Sequence, residues 1–353
     1  MYPLFSLKDK HYKMKLVQKF SMFLVLLNLT VLISSTVTAA DFVGSKACIN
    51  CHEKTYQDWQ GSHHDMSMKH ADNKSVLGNF DNTTLASQEK ESEKLNTFFK
   101  KGTQFWVNIK GDDGKFHDYQ IKYTFGYEPL QQYMVEFDDG RVQLIPFAWD
   151  SRDKKEGGQR WFNLYPDMTK KHQEFFWTNT GQNWNYMCAD CHSTNVDKKF
   201  DVATNTYNTT FSEINVACES CHGAASDHLT WAQEQDGLPK NDNNIKTKAG
   251  DIGFTRGLSK SVMLWQANAD KNQKTLQPKS IEPSQQVLVC AQCHSRRTQI
   301  SKNDHVKGNA FGERYLLDLI SSTNYHPDGQ VYNEDFVYGS FLQSKMYKNG
   351  VVC

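Results

Sequence analysis

The chain carries no surplus of either charge. Its 40 Lys and Arg meet 40 Asp and Glu, so the basic excess that nucleic-acid binding needs is missing and that class of partner is excluded. Apolar residues are scarce as well. Exchanging the 15 Tyr of the 38% hydrophobic fraction for the 21 Gly gives about 40%, below the usual range of about 45–50%. The longest apolar run, Phe20 to Ile33, is about 14 residues, short of the roughly 20 that cross a bilayer as a helix. Disorder does not explain the shortfall, because 8 Trp, 15 Tyr and 21 Phe are too many aromatics for a chain that buries nothing. The composition fits a folded protein whose core is completed by something other than side chains.

What is present begins with a leader. Lys8, Lys10, Lys13, Lys15 and Lys19 precede the apolar run, and Val37-Thr38-Ala39-Ala40 closes it with small residues. Basic, apolar and small segments in this order make residues 1–40 a secretory signal peptide, which places the protein in the periplasm or otherwise outside a bacterial cytoplasm. Removal takes five lysines and Asp9 and leaves 35 positive against 39 negative charges. No transmembrane span is expected after cleavage.

Export permits disulfides, yet the spacing of the nine cysteines argues for other chemistry. Eight fall in four identical frames: Cys48-Ile49-Asn50-Cys51-His52, Cys188-Ala189-Asp190-Cys191-His192, Cys218-Glu219-Ser220-Cys221-His222 and Cys290-Ala291-Gln292-Cys293-His294. Cys-x-x-Cys-His is the attachment frame of c-type haem: two thiols form thioethers with the two vinyl groups of the porphyrin, and the adjacent imidazole reaches the iron. Zinc sites need no trailing histidine. With 13 His in 353 positions, all four pairs would acquire one by chance about two times in a million. Four covalent haem c groups are therefore expected, attached at Cys48, Cys51, Cys188, Cys191, Cys218, Cys221, Cys290 and Cys293. His52, His192, His222 and His294 are their proximal ligands. Cys353 ends the chain, either as the first cysteine of a fifth frame, with further haems beyond it, or as a free or disulfide-bonded thiol.

Between the first two frames the pattern changes to period two. Residues 104–109 and 116–123 flank Gly111-Asp112-Asp113-Gly114, and residues 133–137 and 141–149 flank Asp138-Asp139-Gly140. Asp-Gly between alternating apolar runs is a hairpin signal. The polar stretch Asn73 to Asn96 reads as a solvated helix or loop. Helical patches are expected around Thr230 to Ala232, Gln285 to Arg297, Phe311 to Ser321 and Tyr338 to Tyr347. The expected fold class is α+β, mostly helix and loop wrapped around several covalent haems, with an inserted small antiparallel β-sheet region. The corresponding divisions are a signal peptide at 1–40, an N-terminal haem-binding segment at 41–97, a β-rich region without haem at 98–166, and a multihaem region at 167–353.

The first frame with Trp59-Gln60-Gly61-Ser62 and His64, and the third frame with Gly223 and His228, resemble the multihaem cytochromes related to the tetrahaem cytochrome c of ammonia oxidisers. Residues 129–133, 183–188 and 338–346 resemble an exported subgroup whose full-length members carry C-terminal tetratricopeptide repeats. The chain departs from relatives at Ala224-Ala225, where Pro-Gly is frequent. Eight histidines remain after His11 and the four frames. The resemblance implies His64 and His228 as distal ligands to haems attached elsewhere in the chain. His305 and His326, after the fourth frame, are further candidates, and the competing reading of each is a solvated histidine.

These features point to an exported cytochrome that transfers electrons through closely packed, mostly bis-His haems. Its partners would be other cytochromes or quinol-linked membrane proteins, and no catalytic residue is assigned. Two alternatives stay open. One is a multihaem oxidoreductase with one open haem site acting on a small nitrogen or sulfur oxyanion. The other is a haem-bearing scaffold that binds partners through repeats.

Overall fold

A computed structural model describes residues 40–86, 95–236, 252–254, 256, 265–267, 272, 276–278, 285–301, 311–332, 336–348 and 351–353. The expected leader, apart from Ala40, and His305 lie outside the described residues.

Alternating burial forms the scaffold. Strands β1 (Met68–His70), β2 (Thr83–Ala86), β3 (Leu95–Lys101), β4 (Gln104–Lys110), β5 (Phe116–Phe125), β6 (Leu130–Glu136), β7 (Val142–Asp150) and β8 (Arg160–Asn163) make one antiparallel eight-stranded sheet. Strands β2 to β8 pair in chain order, while β1 joins β5 at residues 123–125, beyond the stretch that β4 occupies. Strand β4 shows the pattern simply, with Phe105, Val107 and Ile109 buried and the residues between them less so.

This overturns the expected fold class. The sheet is the main ordered body rather than a small insertion, and the helices are short: α1 (Ile49–Trp59), α2 (Trp184–Met187), α3 (Ala189–His192), α4 (Cys218–His222), α5 (Ser226–Asp236), α6 (Gln285–His294), α7 (Phe311–Arg314), α8 (Tyr338–Gln343) and α9 (Lys345–Lys348). Three two-stranded ribbons are also present: β9 (Phe200–Asp201) with β10 (Thr206–Tyr207), β11 (Trp265–Ala267) with β12 (Leu276–Pro278), and β13 (Arg297–Gln299) with β14 (Tyr315–Leu317). The helix expected from Phe311 to Ser321 stops at Arg314, where the chain turns into β14.

The polar stretch from Asn73 to Asn96 is neither helix nor simply loop in its described part, since residues 83–86 form β2, 95–96 open β3, and one apolar residue, Phe80, is fully buried. Phe80, only 1% exposed, is edge-on to Phe98, Phe105, Tyr133 and Trp161 with centroids 5.1–5.9 Å away. Phe98 stacks on Trp161 at 3.8 Å. Each such buried aromatic contributes about 1.5–3 kcal/mol of burial free energy, so this cluster holds one face of the sheet without many residues.

The other face meets the second cysteine frame. Along β7, Ile145, Phe147 and Trp149 enter the aromatic cluster, while Val142 and Leu144 join a second one with Met68, Met134, Trp184 and Ala189. Every residue of β7 is buried, as expected of a strand covered on both sides. Pro146 is tolerated in it because the register with β6 jumps from Met134↔Leu144 to Gln132↔Ala148, so proline falls in an unpaired stretch. A bulge in β5 has a larger effect. Ile121 pairs with Val135 and Tyr123 with Met134, leaving Lys122 as an extra residue. Tyr119 and Ile121 consequently face the aromatic cluster, whereas Tyr123 and Phe125 face the second one.

The turn at Gly140 illustrates the hairpin expectation. Its φ is 78°, and the Tyr207 carbonyl lies where a β-carbon would sit, so glycine is required twice over.

Candidate haem sites

All four frames sit in helical turns: the start of α1, the α2–α3 junction, α4 and the end of α6. Positions i, i+3 and i+4 share one helix face, so a single turn presents two thiols and an imidazole together. In the first two frames the turn closes through His52 N–H to Cys48 O at 2.9 Å and His192 N–H to Cys188 O at 3.2 Å. No disulfide joins the eight frame cysteines.

The frames associate in two pairs. The Cys48 thiol donates to Cys218, pushing the Cys218 thiol down to about 6 and its own value up. Cys191 and Cys293 make the equivalent contact, which lowers Cys191 and raises Cys293. Frames one and three are further tied by Glu219, only 1% exposed. Its carboxylate accepts the backbone N–H groups of Val43 at 3.0 Å, Gly44 at 2.8 Å and Ala225 at 3.0 Å. Burial nevertheless leaves its pKa above the ordinary carboxylate value. Glu213 accepts from Ser45 N–H at 3.1 Å and its hydroxyl at 2.8 Å. Frames two and four are linked by Arg297, which donates to Cys191 Sγ at 3.5 Å and Gln292 O at 2.7 Å.

Imidazoles gather around each pair. His52 and His228 stack with centroids 6.4 Å apart and planes inclined by 25°. His64 and His294 lie 6.3 Å apart at 67°. Two imidazoles bound to opposite sides of one metal, each through a bond of about 2 Å, place their centroids about 6 Å apart. Both separations fit that requirement. In addition, His228 Nδ1 lies 2.7 Å from the Ile252 carbonyl. A carbonyl only accepts, so Nδ1 carries the proton and Nε2 keeps its lone pair for a metal.

His192 is half-buried, and its buried Nδ1 has no hydrogen-bond partner among the described residues. Burial is the main reason that its pKa falls to about 4, with His294 and His64 adding to the effect. Phe125 packs on its ring at 4.2 Å. Burial also lowers His222, whose ring neighbour is Phe254 at 5.0 Å. Desolvation, then His294 and His63, lowers His64. The residues present fit covalent haem, with paired thiols, a neighbouring imidazole and facing imidazoles at metal-bridging distance.

Other histidines are placed elsewhere. His326 sits in a turn against Tyr332 at 4.9 Å. His63 contacts Tyr127, His70 contacts Tyr123, and His117 contacts Asp113. Met68 is fully buried and accepts from the Ser193 hydroxyl. Among the described residues, no group of three or more His, Cys, Asp or Glu is close enough to hold a bare metal ion.

Reading the sequence for ligands missed Glu219, Arg297, Phe125 and Phe254. A carboxylate inside a frame and an arginine three residues after His294 were visible signals for the first two. The phenylalanines had none, since strand register and a distant loop bring them in.

Residues 47–103 and 154–223 match the family described as cytochrome c554 and c-prime. These stretches include the first three frames and support a multihaem c-type cytochrome with a haem-based electron-transfer role. No curated protein matches. Among solved structures, the undecahaem cytochrome from the S-layer of Carboxydothermus ferrireducens is similar over 57% of this chain and 23% of its own, at 19% identity and a TM-score of 0.31. That likeness is too weak to bear on the present fold. Among the described residues, no helix is long and apolar enough to cross a membrane.

Proposed function

We propose that the chain is an exported carrier of four covalent haems, two of them with bis-His irons, that relays electrons between redox proteins. The facing imidazoles of His52 and His228 carry this reading, supported by those of His294 and His64. Haem c supplies reversible one-electron chemistry when bound. The chain's part is to hold and orient it. The thiol pairs would anchor the porphyrins, His52, His192, His222 and His294 would ligate the irons of their own frames, and His228 and His64 would each supply a second imidazole for the first and fourth. The Cys48–Cys218 and Cys191–Cys293 contacts would keep the first and third haems, and the second and fourth, in adjacent pairs. Short spacing suits electron relay. Redox partners would be other cytochromes or quinol-linked membrane proteins outside the cytoplasm.

A second reading is favoured by one observation: the frame histidines His192 and His222 have phenylalanines, Phe125 and Phe254, as their ring neighbours. An iron without a second imidazole would suit an oxidoreductase acting on a small nitrogen or sulfur oxyanion. Intact mass and paramagnetic resonance of chain produced with a haem-attachment system test both readings. Four haem increments with reversible reduction support the carrier, and a high-spin iron that binds cyanide supports the oxidoreductase. A haem-free folded product containing zinc would refute both.

A further inference from the structure

The two frame pairs sit in opposite electrostatic surroundings. Beside Cys48 and Cys218 lie the carboxylates of Glu219, 1% exposed, and Glu213, both bonded to residues 43–45. Arg256, which donates to Ser220 O, offsets one of those two charges. Beside Cys191 and Cys293 lies Arg297, with a side chain 7% exposed and 3.5 Å from Cys191 Sγ. Asp190 is 3.9 Å from Arg297 and 3.0 Å from Lys198, so one carboxylate faces two cations. Tyr315 holds Arg297 at 4.3 Å and the buried Arg314 at 5.2 Å from its ring. The local balance is thus negative at one pair and positive at the other.

We infer that Glu219 and Glu213 set the haem pair at Cys48 and Cys218 to a lower reduction potential than the pair at Cys191 and Cys293, which Arg297 raises. The inference rests on the proposed haem-carrier function. Its sign follows from charge. A ferric haem carries one more positive charge than a ferrous one, so a buried carboxylate favours the oxidised form and a buried guanidinium the reduced form. Reduction adds one electron per haem and makes or breaks no bond to these residues. Low dielectric around buried groups makes the effect larger than surface lysines could produce. Electrons would therefore settle on the second and fourth haems in preference to the first and third.

Mediated spectroelectrochemical titration of the full haem-loaded chain tests this. R297Q is expected to lower the potentials of the higher pair alone, by about tenfold in the one-electron equilibrium constant, and R297K to retain most of the original value. E219Q is expected to raise the lower pair alone. If loss of its backbone contacts prevents folding, E213Q reports on the same pair. Equal shifts of all haems, or none, with reversible four-electron reduction intact, would overturn the charge assignment and leave the carrier reading standing. A chain that holds no covalent haem would overturn both.

Discussion

The imidazoles of His52 and His228 face each other across 6.4 Å, although 176 positions separate them in the chain. Replacing His228 by alanine is therefore expected to turn one low-spin haem high-spin in paramagnetic resonance. H64A should convert a second, and the double variant two. H63A and H326A serve as controls that leave the spectrum unchanged. Unaltered spectra in H228A and H64A would return both residues to the status of solvated histidines.

Phe98 is fully buried and stacked on Trp161. Phe98→Ala leaves a cavity among rings that cannot collapse into it, at a cost of about 3–5 kcal/mol. Denaturant unfolding of the haem-loaded protein measures that loss. The haem absorbance of the folded state should be preserved, because this cluster lies on the sheet face away from the frames.

Gln131 is fully buried and joins four groups. It accepts from Leu77 N–H at 2.9 Å and Tyr133 hydroxyl at 2.7 Å, and donates to Ser75 O at 2.9 Å and Gly126 O at 3.2 Å. Gln131→Leu keeps the volume but strands those partners, each unpaired group costing about 1–3 kcal/mol. A loss below about 1 kcal/mol would mean that the network relaxes onto other partners or water.

Asp150 receives Arg152 Nε at 2.9 Å and Nη2 at 2.6 Å, which holds its carboxyl below the ordinary range. A depressed folded value means that the unfolded state binds the proton more readily. The pair's contribution is complete above the unfolded value of about 4 and disappears as pH falls through the folded one. D150N should lower stability at neutral pH and flatten its decline from about pH 4 downward. Parallel pH profiles for the two proteins would contradict the coupling.

The frames stood out in the sequence by their spacing, and the resemblance pointed to His64 and His228, which the structure places beside His294 and His52. The two central hairpins were legible through Asp-Gly turns and period two. The strands around them were not. In β2 and β3, polar and short runs acquire their place by pairing with strands further along the chain. Nor does local periodicity reveal that β7 is covered on both faces, which took the observed contacts of Val142 and Leu144 with the frame segment. Glu219 was read only as an intervening residue of its frame, since its role depends on Val43 and Gly44, 175 positions or more away.

Lys122 gives β5 one residue more than its partner β6 requires. Were Lys122 paired in line with its neighbours instead of bulged, the uninterrupted pleat would send Tyr123 and Phe125 toward the aromatic interior, away from His192. Swapping one side chain for another there would leave that orientation intact. This strand should therefore tolerate changes of spelling far better than a slip in its pairing, a form of punctuation that keeps the redox side of the sheet supplied with its aromatic contacts.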